Sequence, residues 1–165
     1  MKRIFDAVRR YFSRFDQQNR WPFLWRIWLH AIVISYSAAA LVQFFVPTGP
    51  RDDLVGKSGV ELCLLVLVVG PFTETMLFQF LPLELTRAAA VRRSLRFAIS
   101  VIPFAYMHLF AGMPTVVAAG FVGGLFFAFT YERWRSESVF VAIAMTVLLH
   151  SSFNLVGAVA MLLAR

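Results

Sequence analysis

The stretch Gly70-Pro71-Phe72-Thr73-Glu74-Thr75-Met76-Leu77-Phe78-Gln79-Phe80 decides how this chain is read. It sets carboxylate, threonine and glutamine side chains inside an apolar run that otherwise has the character of a membrane span. A carboxylate at the centre of a membrane helix costs about 3 kcal/mol. Glu74 is therefore a functional-site candidate by default, and what it meets at that depth decides its chemistry.

The composition around this stretch makes lipid the solvent. The 165 residues suffice for one domain, yet 59% are hydrophobic, 15% are charged and 18 are phenylalanine. Mean hydropathy is +0.71. A soluble domain closes its core with roughly 45–50% apolar residues, so the surplus needs a bilayer. The net charge of +7 would suit nucleic acid, but the cations fall between apolar runs. That placement signals membrane topology instead and excludes a nucleic-acid partner. Cys63 is the single cysteine, which leaves no disulfide framework or cysteine metal cluster and makes it a packing residue within a span.

An all-α polytopic membrane bundle of about five transmembrane helices follows. Residues 1–26 form a basic segment with Lys2, Arg3, Arg9, Arg10, Arg14, Arg20 and Arg26. Phe5, Val8, Phe12 and Phe15 recur at helical spacing, which predicts an amphipathic helix on an anionic leaflet, with a frayed basic tail as the plain alternative. Trp21, Trp25 and Trp28 make an aromatic belt at the point of entry. Ala38-Ala39-Ala40 is followed by further apolar residues, so the first span reads as an uncleaved anchor. The spans fall at about Ile27–Val46, Glu61–Leu83, Phe97–Gly112, Thr115–Tyr131 and Ser138–Leu163. Pro47, Gly49 and Pro50 end the first, and a polar loop with Asp52, Asp53 and Lys57 follows. His30, near an interface, needs no functional explanation. Pro71 interrupts the second span, which is tolerated when a neighbour satisfies the carbonyl it leaves free. Gly120, Gly124 and Ala128 form a small-residue ridge for close helix packing. With the N-terminus cytoplasmic, 13 of the 16 Lys/Arg lie on the inner side, as the positive-inside rule requires. The domain division is 1–26 and 27–165, with a motif-bearing core at about 60–157.

The strongly polar side chains deep in these spans are Glu74, Gln79, His108, His150 and Asn154. At 1.5 Å rise per residue, Glu74 lies about 15 Å from the cytoplasmic edge, and His108 and His150 each about 18 Å. All three thus approach the midplane of a hydrocarbon layer about 30 Å thick. His150 and Asn154, four apart, share one helix face, as do Phe104 and His108. Four readings are open. Two imidazoles and a carboxylate suit zinc, although His-Glu-x-x-His is missing. Glu74 could act as a general base on water, with His108, or His150 and Asn154, holding the water and the oxyanion. A proton or ion relay is the third. The fourth is a set of interhelical hydrogen bonds of about 0.6 kcal/mol each.

Glu74-Thr75-Met76-Leu77-Phe78-Gln79, Phe104-x-x-x-His108 and His150-x-x-x-Asn154 resemble, in order and spacing, the motifs of the CPBP family. These are the CAAX-processing and bacteriocin-processing (Abi) intramembrane proteases, whose patterns are Glu-Glu-x-x-x-Arg, Phe-x-x-x-His and His-x-x-x-Asn/Asp. Gly70-Pro71, Gly120/Gly124 and Tyr131-Glu132-Arg133 match habits of the family too. The resemblance implies a glutamate-dependent intramembrane endopeptidase in which Glu74 activates water. His108, His150 and Asn154 would position that water and bind the oxyanion, with Thr75, Gln79 and Phe104 supporting the site. This mechanism needs no metal and no other cofactor. The implied substrate is a membrane-anchored protein or peptide: a CAAX-like end, a bacteriocin leader or a C-terminal sorting tail. The implied location is the prokaryotic cytoplasmic (inner) membrane. Thr75 and Gln79 replace the second glutamate and the arginine, which reads as the joint loss of an ion pair to two neutral hydrogen-bonding residues. An inactive scaffold or immunity protein of the same fold is the alternative function, and a transporter is weaker because inverted halves are missing.

Overall fold

The computed structural model describes residues 2–16, 18–46 and 59–163. The expected loop carrying Asp52, Asp53 and Lys57, the residues Pro47, Gly49 and Pro50, and the side chains of Lys2, Arg3, Phe5 and Arg9 lie outside the described residues. The described chain is helical: α1 (Lys2–Ser13), α2 (Arg20–Phe45), α3 (Gly59–Ala88), α4 (Arg93–Met107), α5 (Met113–Trp134) and α6 (Val139–Leu163). Four of these, α2, α3, α5 and α6, are long and apolar enough to cross a membrane. The third expected span differs. α4 has 15 residues, about 22 Å of helix against about 30 Å of hydrocarbon, and it continues only as a 3-10 turn, Leu109–Ala111.

The helix α5 is central. Of its apolar window 61% is buried, against 17% for α2 and for α3 and 33% for α6. The small-residue ridge explains how α4 reaches it. A Cβ on Gly120 would lie 2.6 Å from the Ala105 Cα, and one on Gly124 would lie 2.9 Å from the Phe104 ring. Glycine at these two places is what lets the α4 backbone touch α5. The turn back from α4 passes through Gly112 at φ 86°, ψ 160°, a conformation open only to glycine.

Two prolines shape α3. Each follows a stretch of π-helix, Leu65–Val69 before Pro71 and Thr75–Phe80 before Pro82. The Gly70 N–H donates to Leu65 O and the Leu81 N–H to Met76 O, both five residues back. Such wide turns accompany prolines that break the ordinary ladder. Side chains from other helices reach this backbone: Ser100 Oγ donates to Phe78 O at 2.6 Å, and Asn154 Nδ2 to Val66 O at 3.0 Å.

The segment α1 docks on the bundle through part of its apolar face. Phe12 and Phe15 are buried against protein, Phe12 stacking on Phe129 at 4.3 Å and Phe15 standing edge-on to Phe23 and His30. Burial raises the Tyr11 hydroxyl above its ordinary range, with the Arg14 charge pulling the other way. It therefore stays protonated and shares a hydrogen bond with His30 Nδ1 at 2.5 Å, so His30 is a docking point for α1. Trp28 also belongs to the interior contacts, since its Nε1 donates to Ser152 O at 2.9 Å, whereas Trp21 and Trp25 remain exposed.

At the basic end of the bundle, charges tie α3, α4 and α5 together. Arg135 grips Glu84 with two hydrogen bonds of 2.7 and 2.9 Å, and Tyr131 adds a third at 3.0 Å. Glu132, almost fully buried, pairs with Arg87 at 2.9 Å and Arg96 at 3.1 Å. The bidentate geometry is the strong form of such contacts, and it fixes the end of α3 whose middle carries Glu74.

Candidate active site

Glu74, His108 and His150, expected to share a depth, line one cavity of about 560 Å³ together with Asn154. That volume is within the range of small-ligand and peptide sites. α3 supplies Glu74, the end of α4 supplies His108, and α6 supplies His150 and Asn154. The walls are mostly apolar, with Phe78, Met107, Phe110 and Phe153 among them.

Each side chain is held by its own element. Glu74 sits just before the second π stretch, and its Oε1 lies 3.5 Å from where a Cβ on Gly70 would be. Its side chain is about one-third exposed, so it opens to the cavity, whereas the His150 ring is almost fully buried. His150 Nε2 approaches Glu74 Oε2 at 3.5 Å, longer than a good hydrogen bond, a separation common in unliganded hydrolytic sites that tighten with substrate. Phe127 stacks on the His150 ring at 4.2 Å, and Phe104 stands edge-on to it at 5.8 Å. These contacts fix the imidazole plane while its Nδ1 stays buried without a hydrogen-bond partner among the described residues.

His108 is the residue at which α4 stops. Its Nδ1 lies 2.8 Å from the Phe104 carbonyl. A carbonyl only accepts, so Nδ1 carries the proton and, in the neutral ring, Nε2 is the acceptor nitrogen. Phe104, fully buried, packs on the His108 ring at 4.7 Å. One phenylalanine thus braces both histidines, which gives the Phe-x-x-x-His spacing a physical purpose. Asn154 directs its Nδ2 to the Val66 carbonyl, so this amide reaches backbone.

Thr75 and Gln79 are placed elsewhere. Both are fully buried, and neither is among the cavity-lining residues. Thr75 Oγ1 and both Gln79 amide atoms have no hydrogen-bond partner among the described residues. The expected exchange of an ion pair for hydrogen-bonding residues therefore stops at neutrality. A neutral group buried without a partner costs about 1–3 kcal/mol, far less than a bare charge.

The cavity also holds two polar side chains that the sequence reading passed over, Tyr36 of α2 and Thr115 of α5. A tyrosine inside a span raises no flag by composition, and no spacing links it to the three motifs. Its hydroxyl would be 3.5 Å from a Cβ on Gly157, which puts α2 at the rim of the site. Among the described residues no cluster of three or more His, Cys, Asp or Glu is set to hold a metal ion.

The family model described as Type II CAAX prenyl endopeptidase Rce1-like matches residues 57–156. This range contains Glu74, His108, His150 and Asn154, and it agrees with the resemblance to CPBP proteases. No curated protein and no solved structure matches the chain. With the match covering more than half of the sequence, the chain belongs to the Rce1-like CAAX endopeptidase family of intramembrane proteases.

Proposed function

We propose that the chain is a glutamate-dependent intramembrane endopeptidase that hydrolyses a membrane-proximal bond in a membrane-anchored or lipid-modified protein. The observation that carries this is the approach of Glu74 to His150 at 3.5 Å, on the wall of an apolar cavity that His108 also lines. In this reading the Glu74 carboxylate takes a proton from water while the water oxygen attacks the scissile carbonyl. The peptide carbon becomes tetrahedral, its oxyanion accepts from an imidazole N–H, and collapse expels the amine, which leaves with a proton from Glu74. The products are a carboxylate and an amine, and the balance closes with one water.

The apolar walls support a substrate that arrives through lipid. A CAAX-like end is the substrate class nearest to the family's name, and sorting tails and bacteriocin leaders are the other candidates. Comparing the termini of membrane proteins from cells with and without the gene tests the proposal. An uncleaved precursor should accumulate in its absence, and it should persist when His108→Ala or His150→Ala is supplied at normal membrane levels. Unchanged termini throughout the membrane proteome would turn the reading toward a non-catalytic scaffold.

A further inference from the structure

We propose that Asn154 is a positioning residue: its amide stands in for the N–H that Pro71 lacks and so holds the turn of α3 that presents Glu74.

The argument begins with the register. Through Leu65–Val69 the backbone donates five residues back, and the last bond of this kind runs from the Gly70 N–H to Leu65 O. The next acceptor in that register is Val66 O, and the next donor would be residue 71. That residue is proline and has no N–H. Inside a membrane bundle a carbonyl left in this way needs another donor. Asn154 Nδ2 supplies one at 3.0 Å, from a helix 88 residues further along the chain.

The same face of α6 then touches α3 twice. His150, one turn before Asn154, meets the Glu74 carboxylate, and Asn154 meets the backbone of the turn before Glu74. The carboxylate lies close to that turn: Glu74 Oε1 is 3.5 Å from the Cβ position of Gly70, and the same Cβ would come 2.8 Å from Leu65 O. Shifting the turn therefore shifts the carboxylate relative to His150. The His-x-x-x-Asn spacing joins a side-chain contact and a backbone contact one helical turn apart.

The test is a double-mutant cycle on the full-length protein in detergent, with Asn154→Ala, Pro71→Ala and both together. Alanine at 71 restores an N–H in register with Val66 O. Asn154→Ala alone should lower the unfolding midpoint by about 3–6 °C. It should also reduce kcat about 10²-fold with KM moved less than about twofold, as a misplaced reacting group does. In the Pro71→Ala background the loss of Asn154 should have at most about a third of either effect. A wild-type midpoint and kcat for Asn154→Ala would overturn the proposal. A kcat loss that Pro71→Ala leaves unrelieved, with no midpoint change, would overturn it too and make Asn154 a group acting on substrate. If Asn154→Ala fails to accumulate, accumulation of the double variant supports the proposal and its failure refutes it. The kinetic arm alone rests on the proposed hydrolytic function. Were the protein inactive on a farnesylated CAAX peptide in micelles, the midpoints would still decide the role of Asn154.

Discussion

Replacing Gly120 by alanine should damage both stability and the site, and the size of the damage can be worked from one contact. The new Cβ would lie 2.6 Å from the Ala105 Cα and 3.0 Å from its Cβ. Ordinary carbon contacts are about 3.5–4.0 Å, so α4 must move off α5 by about 1 Å. Both partners are backbone or bonded directly to it, and no rotamer change relieves the clash. Overpacking of this kind costs about 1–3 kcal/mol. Gly→Ala in a helix also gains about 1 kcal/mol of propensity, so the measurement needs a reference. Gly123→Ala supplies it, because its Cβ meets Phe127 at 3.4 Å and Ala118 O at 3.5 Å within the same π stretch. The propensity gain then cancels in the difference. Gly120→Ala should melt about 3–10 °C below Gly123→Ala in detergent. Ala105 lies one turn before His108 on α4, so the shift also carries this histidine away from the cavity, and peptidase activity should fall about 10²-fold. Equal melting and equal activity for the two variants would refute the α4–α5 packing on which the placement of His108 rests.

Phe12→Ala tests the docking of α1. Phe12 is 8% exposed and stacked on Phe129, so its truncation should cost about 3 kcal/mol, read as a lower melting midpoint. A helix lying only on lipid would show no change. Thr75→Val should raise the midpoint by about 2–4 °C, because it removes a buried hydroxyl without a partner and keeps the shape. Conversely, Thr75→Glu alone should destabilise by several kcal/mol, and adding Gln79→Arg should recover much of the loss. Failure of the arginine to rescue would show that the two positions do not face one another.

Much of the fold was legible because lipid restricts it. Long apolar runs, basic loops and the depth of Glu74, His108 and His150 all follow from hydropathy and helical rise, and one residue or more from each motif lines the same cavity. What was not legible depends on choices that hydropathy does not encode. A Phe12/Phe15 stripe reads alike whether lipid or protein covers it, and the Phe126 and Phe129 rings on α5 with Phe23 and His30 on α2 decide for protein. The brevity of α4 follows from its stop at His108 and the glycine turn at Gly112, whereas the apolar run continues past both. Pro71 announced an unsatisfied carbonyl, but its partner depends on the π register and on the placement of α6. The resemblance assigns Asn154 to the oxyanion, and its contact with Val66 depends on packing that the His-x-x-x-Asn spacing does not encode. Tyr36 entered the cavity through the packing of α2, which carries none of the motifs.

The most direct test of the central claim is the cleavage rate of a substrate recovered from the terminal comparison, measured with purified protein in liposomes for wild type and Glu74→Gln. Glutamine keeps the size and polarity of Glu74 but cannot take the proton from water. The rate should fall about 10²- to 10⁴-fold while the melting midpoint stays within a degree or two of wild type. Cleavage by Glu74→Gln at the wild-type rate would contradict the assignment of Glu74 as the water-activating base.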